Sequence, residues 1–514
     1  MTVASRRSPI RLWGAVIGTC AILLTACGST PPENSAFGDP AIPLHYATVF
    51  GVSSFDPHKT RITSDATMLN MVYDRLVHRD AAGQPIPGLA ESWEIDDTTL
   101  TLHLRDGLTF SSGAALDADA VVANLRRALE PDSITAPMLA GIVGVDAADD
   151  RTVVLTFDGP GAQYVLALSD LAGMIVDPAA FGSPEKDAQL TLAPAGAGRY
   201  VLAASRPGAE YEFTARADYW DPDAIGTETF VWTVMTDPQA RLSAVSAGDI
   251  DVAITTPLTI DAAEQQGLRV ETALRLDHMA LNFNRNRSEF GNLDVRKAIA
   301  HAIDRQAIAD TAMEGHAEAA TQNFPKDYFA YDPDLADDYP YDPERARQLL
   351  SDAGLPEGFS FTAILLNLPE NVQVAQIVQQ QLAQVGIEMK LEPLPPSDAS
   401  PTFYRGDADA FLTTFTGRSD PALLLSALYG ENSPQNPSRT TAPGFQEALD
   451  SANRETDLQA RGDKLGEVSK TVTDNVLAVP LVFFELGSTL TDQVVGYETN
   501  LLIDEWRGVG IAAS

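Results

Sequence analysis

The stretch "TDPQARLSAVSAGDIDVAI" limits what this chain can fold into more than any other feature of it. Asp237 stands where a helix N-cap belongs, Pro238 at the first helical position and Gly248 at the stop, and "IDVAI" follows at once as a strand. "YDPERARQLLSDAG" repeats the grammar with Asp342, Pro343 and Gly354. "NVQVAQIVQQQLAQVGIEMKLEPL" places Val374, Ile377, Val378, Leu382 and Val385 on one helical face, stops at Gly386 and becomes an alternating strand. "NLDVRKAIAHAIDRQAIA" puts Val295, Ala298, Ile299, Ala302 and Ile303 on a single stripe. Helix-then-strand units of this kind imply α/β layers with mostly parallel sheets. The 514 residues are enough for two to four such domains.

Residues 60–180 have another texture. "LHLRDGLTFSSG" and "TVVLTFDGP" look like strands ending in turns, with one helix, "LDADAVVANLRRALE", starting at Asp117 between them. That is an α+β insert rather than a wound sheet.

Charge narrows the partners. Lys and Arg total 35 against 71 acids, a formal charge of −36, and phosphate binding needs a basic face, so nucleic acid is excluded. The N-terminus narrows the location. "MTVASRRSPIR" is a basic segment, "LWGAVIGTCAILL" a short apolar one, and Leu24-Thr25-Ala26 precede Cys27. This resembles the bacterial lipobox, in which the cysteine is lipidated and becomes the first residue of the mature protein. Removing residues 1–26 takes away three arginines, no acid and Cys20, which moves the charge from −36 to −39. Cys27 is then the one cysteine left, so neither a disulfide nor a thiol nucleophile is available. "GSTPPENSAFGDPA" after it is a flexible tether that would hold the domain roughly 20 Å from a membrane.

Catalytic signatures are missing. The sequence has no GxSxG elbow and no GxxxxGK[ST] loop, and its seven histidines are scattered without metal-ligand spacing. Binding is therefore the default reading.

"LVHRDAAGQPIPGLAESWEIDDTTLTLHLRDGLTFSSGAALDADAVVANLRRAL" resembles the signature of the family 5 extracellular solute-binding proteins, the dipeptide, oligopeptide and nickel receptors of bacterial ABC importers. "PAGAGRYVL", "RADYWD", "ARLSAVSAGDIDVA", "LNFNRN", "DVRKAIAHAIDR" and "DPERARQLLSDAG" continue the likeness in order. The resemblance implies an α/β, two-lobe, periplasmic-binding-protein-like fold (type II, cluster C) with the α+β stretch inserted in lobe one as an extra subdomain. It implies a signal peptide at 1–26, a lipidated tether at 27–44, a lobe-one core from 45–60, 180–272 and 480–514, the insert at 61–179, and lobe two at 273–479. The chain would cross between lobes near Leu281–Asn284 and Val479–Phe483. The function implied is capture of a small solute, a di- or oligopeptide first of all, by a monomer anchored to the cell membrane. Delivery would be to ABC permease and ATPase subunits, with no reaction catalysed, no cofactor and no metal. The alternative is an envelope lipoprotein of the same fold that regulates or scaffolds cell-wall glycolipid assembly.

Most motif residues also have a structural reading. Trp93, Tyr219 and Trp220 are expected to pack the insert, Arg296 and Asp304 to make structural contacts, and Asp56-Pro57 either to line the cleft or to make a turn. One segment reads as a pocket. "DADAFLTTF" alternates like a strand, and ligands of open α/β sheets bind beyond the carboxyl ends of strands, which places "TGRSDP" at the cleft. Similar family members read roughly Trp-Ser-Gly-Arg-Pro-Asp-Pro-Asp here, at the ligand; this chain has Phe415 for the tryptophan and Ala422 for the second aspartate. Phe415, Gly417, Arg418, Ser419 and Asp420 are the candidate ligand-binding residues, and Cys27 is the candidate lipidation site. Arg418 offers a planar fork for a carboxylate. Asp420 either holds that fork, pairs with a ligand amine, or caps the next helix.

Overall fold

Capping chemistry shapes the helices as the sequence suggests. In the computed structural model, which describes residues 38–60, 65–96, 98–287 and 289–513, the Asp237 side chain accepts from the Ala240 N–H. Pro238 opens the helix Pro238–Ala247, and Gly248 closes it with φ near +77°. Asp342 likewise accepts from the Arg345 N–H ahead of Pro343–Asp352. The helix Pro369–Ala383 buries Val374, Val378 and Leu382, and Ile387–Leu394 follows as a strand after Gly386. The stripe from Val295 to Ile303 belongs to a shorter helix than its periodicity suggests. Leu293–Ala302 ends at Ile303, and Asp304 caps a second helix, Arg305–Ala312, by accepting from Ala307 N–H at 3.0 Å. Arg296 donates to the carbonyls of Phe290, Asn475 and Val476. The signal segment, Cys27 and most of the tether lie outside the described residues.

The main sheet has eleven strands and is mixed, not mostly parallel. Its order runs Ile387–Leu394, Phe359–Leu366, Ala410–Phe415, Arg269–Phe283, Ala478–Leu490, Val252–Thr255, Leu44–Thr48, Thr229–Val234, Glu210–Ala215 and Tyr200–Arg206, with Ala317–Ala319 added on Ala478–Leu490. Parallel pairs occur in two blocks, where crossover helices join strands: Phe359–Leu366 with Ile387–Leu394 and Ala410–Phe415, and Leu44–Thr48 with Val252–Thr255 and Thr229–Val234. The two pairs beyond Thr229–Val234 are antiparallel. The pairs between the blocks are antiparallel, because two long strands, Arg269–Phe283 and Ala478–Leu490, run through the middle in opposite directions. These two carry the chain from one lobe to the other. Leu490 to Gly487 pair with Val252–Thr255 on one side, and His278–Phe283 pair with Ala410–Phe415 on the other. Their mutual ladder breaks between Leu274 and His278. The first crossing therefore lies at residues 275–277, earlier than Leu281–Asn284, whose Leu281–Phe283 already sit inside the second lobe's sheet.

The insert is a four-stranded antiparallel sheet of Ala90–Ile95, Thr99–Leu104, Thr152–Phe157 and Ile142–Asp149. Strands Thr99–Leu104 and Thr152–Phe157 bury every second residue, and the helix Ala118–Ala128 covers that face with Val121 and Leu125. Asp117 caps this helix through Ala120 N–H at 2.9 Å. Trp93 and Trp220 pack against this core. Asp56 is buried and paired with Arg127, at 2.8 Å to Nη1 and 2.5 Å to Nη2, which ties the segment after Leu44–Thr48 to the insert's helix.

Candidate functional site

The strand Ala410–Phe415 lies between Phe359–Leu366, its parallel neighbour, and Arg269–Phe283, so its carboxyl end falls beside the lobe crossing. Phe415 is buried there, its ring centroid 5.7 Å from that of His278, which has Phe483 at 5.4 Å. The chain must then turn tightly. A Cβ at position 417 would stand 2.3 Å from the Leu276 Cβ and 2.8 Å from Leu502 Cδ2, so glycine is required by close approach. Asp277 stands beside the turn: burial pushes its carboxyl up to about 6, with Arg275, Thr416 and the Gly417 backbone pulling the other way.

Asp420 and Arg418 have separate roles. Asp420 is fully buried and caps the helix Pro421–Tyr429, accepting from Ala422 N–H at 2.8 Å. Arg461 grips the same carboxylate at 2.5 Å and 3.0 Å. Neither interaction leads to Arg418. The carboxylate holds the end of the loop in place and does not face it. Arg418 is half-buried and has no hydrogen bond or ion pair to any described residue. Desolvation pulls its guanidinium below the ordinary arginine range, opposed by the charge of Asp170 and by Tyr404. Asp170 belongs to the insert side, where it accepts from Leu171 N–H at 2.8 Å. Ser419 is 1% exposed, and its hydroxyl has no partner among the described residues. The loop thus carries one cation without a hydrogen-bonded partner, which feels the charge of Asp170, and one buried hydroxyl without a partner among the described residues.

The lobes meet around this loop. Ala162 N–H of the insert donates to the Asn453 carbonyl at 3.1 Å, and Leu423 packs on the insert's core. A narrow pocket between them, with room for about one water, is lined by Arg79, Leu276, Tyr328, Ser419, Leu501 and Glu505, among others. Neither Arg79 nor Tyr328 stands out in sequence, since Arg79 sits inside the "LVHRDAAG" motif and Tyr328 in an irregular stretch. Their place in the cavity comes from segments far apart in the chain. Among the described residues, no three His, Cys, Asp or Glu side chains cluster as a metal site would need, and no helix is long and apolar enough to cross a membrane.

Two lobes on a shared sheet, crossed by two strands and enclosing a cleft at a strand's carboxyl end, define a solute-binding protein. Residues 84–436 match "Bacterial extracellular solute-binding proteins, family 5 Middle", and the chain belongs to that family. The dipeptide-binding protein of Pseudomonas aeruginosa PAO1 is 25% identical over 507 residues, covering 90% of this chain and 94% of the relative. The glutathione-binding protein GsiB of Salmonella typhimurium LT2 is 27% identical over 467 residues, covering 87% of this chain and 90% of that one. Among solved structures, the ABC transporter-associated periplasmic binding protein DppA from Helicobacter pylori, in complex with the peptide STSA, superposes with a TM-score of 0.82 at 23% identity. That match covers 92% of this chain and 98% of the other, and it shows the shared fold.

Proposed function

We propose that this chain is the solute receptor of an ABC importer, closing on a di- or oligopeptide whose carboxylate is held by Arg418. The observation that carries the reading is the half-buried Arg418 guanidinium, left without a protein partner at the strand's carboxyl end in a family of solute-binding proteins. Relatives named for dipeptides and glutathione, all carboxylate-bearing solutes, support the same ligand class. A scaffolding protein of this fold would have no need of an unpaired cation in its cleft, so Arg418 favours capture over the glycolipid-assembly alternative. Gly417, Phe415 and Ser419 shape the loop around the ligand, and Asp420 acts through the loop's structure. The lobes proposed are 45–60 with 180–272 and 480–514, carrying the insert 61–179, and 273–479. The binding unit proposed is a monomer, delivering to permease and ATPase subunits.

Closure supplies affinity, because ligand touches both lobes only when they meet, and binding shifts that population. Titration calorimetry with Ala-Ala, paired with small-angle scattering, tests this. Saturable heat with a smaller radius of gyration at saturation is expected. Heat without a change in radius would leave a rigid binder, and no heat with any peptide would remove the peptide reading.

The anchor proposed is lipidated Cys27 on the extracytoplasmic face of the cell membrane, supported by the lipobox and the tether that follows it. Two or more acyl chains hold a protein stably where one is marginal. Labelled palmitate is expected to enter the wild type and not Cys27→Ala, and equal labelling of both would refute the anchor.

A further inference from the structure

We propose that Arg79 is the first lobe's anchor for a second acidic group on the solute, so that this receptor prefers ligands carrying two carboxylates; the inference rests on the capture reading above. Arg79 ends the strand Val77–Arg79 and is 7% exposed. Of its five donors, one makes a hydrogen bond to a described residue, from Nη1 to Ser169 Oγ at 2.9 Å. No carboxylate lies within ion-pairing distance of it among the described residues. Burial holds its guanidinium below the ordinary arginine range, and the charges of Asp170 and Glu505 oppose that. Arg75, two residues from the start of the same strand, shows the contrasting solution. It is equally buried, but Glu505 meets it with both oxygens at 2.8 Å and 2.7 Å.

The carboxylates around the cavity are otherwise committed. Glu505 is committed to Arg75, and Asp80 is exposed at the rim and accepts from Gln84 N–H at 2.8 Å. Asp277 stands beside Thr416 and the Gly417 backbone, which favour its carboxylate. Asp170 is the one acid whose charge acts on both Arg79 and Arg418. Glu505 also acts on Arg79 from its pair with Arg75, so neither Arg79 nor Arg418 has an ion-paired carboxylate of its own among the described residues. Arg79 also shares its cavity with the Ser419 hydroxyl, a donor without a partner on the opposite lobe. An oxyanion placed there would accept from Arg79 on one lobe and Ser419 on the other, while a second oxyanion on the same solute meets Arg418. Such a ligand bridges the lobes twice, and a charge-assisted pair in a desolvated cleft is where selectivity is strongest.

Calorimetry on the whole protein with Ala-Glu and Ala-Gln separates the charge from the size of the side chain. The wild type is expected to bind Ala-Glu roughly tenfold or more tightly, the factor for one hydrogen-bonded charged contact. In Arg79→Gln that ratio is expected to collapse to about one, and in Arg79→Lys to persist in part. The unfolding midpoint of ligand-free Arg79→Gln should match or exceed the wild type, since a buried uncompensated charge is removed; a purely structural arginine would lower it. Equal affinity for the two peptides in the wild type, or a preference retained in Arg79→Gln, overturns the role of Arg79 while leaving Arg418 untouched. No binding of either peptide overturns the peptide-capture reading and this inference with it.

Discussion

Asp420→Ala is expected to be the most destabilising single change at the loop, lowering stability by about 3–5 kcal/mol through Arg461 alone. The reason is the state of what remains. Arg461 is 2% exposed, and its charge is neutralised by Asp420 at 2.5 Å and 3.0 Å. Removing one partner of a buried pair leaves the other charged in a poor solvent, which costs far more than the pair was worth. Loss of the Asp420 cap on Pro421–Tyr429 adds about 1 kcal/mol. Asp420→Asn keeps a cap acceptor but not the charge, so most of the loss should persist. Asp420→Ser combined with Arg461→Met should recover much of it, because a hydroxyl can still cap and no buried charge is left. Chemical unfolding monitored in the ligand-free protein gives all three values. A wild-type midpoint for Asp420→Ala would mean that the pair carries no weight in the folded second lobe.

Sequence reading served well wherever the physics is local. Asp237, Pro238 and Gly248 act within a single helix, so cap, first turn and stop can be placed from neighbouring residues. The insert was equally plain, because alternating burial in Thr99–Leu104 and Thr152–Phe157 is written directly in residue type. The mixed sheet was hidden, since strand order depends on pairings between distant segments such as Arg269–Phe283 and Ala478–Leu490. The crossing point was hidden for a related reason. Arg269–Phe283 runs fifteen residues without Gly or Pro, and nothing marks where its partner changes. A break in the ladder at residues 275–277 is a property of two strands, not of one.

The loop divides in the same way. That Phe415–Pro421 follows a buried strand and lies at a carboxyl end was legible. The division of labour between Arg418 and Asp420 was not. Arg461 lies 41 residues beyond Asp420, on the helix Leu458–Asp474, and only the fold brings its fork to that carboxylate. Asp277 was equally out of sight, an acid in a strand whose flanking residues are buried, while the Thr416 and Gly417 that favour its carboxylate come from another segment.

With Asp420 engaged elsewhere, Arg418 has no counter-charge of its own, and the second large effect follows from that. Arg418→Ala is expected to weaken binding of Ala-Ala by about 2–5 kcal/mol, the cost of leaving a buried carboxylate unpaired. That is a factor of about 30 to several thousand in Kd. Ligand-free stability should change little, because the half-buried side chain makes no hydrogen bond or ion pair to a described residue. The amidated peptide Ala-Ala-NH2 isolates the contact. Wild type should discriminate strongly between acid and amide, whereas Arg418→Ala should bind both equally weakly, since the amide has already lost the partner that the mutation removes. Arg418→Lys keeps the charge but not the paired donors, so it should recover part of the affinity for the acid and only part of the discrimination. Unchanged affinity in a well-folded Arg418→Ala protein would take the guanidinium out of the site. Equal loss for acid and amide would mean that Arg418 acts on the cleft's shape rather than on the ligand's carboxylate.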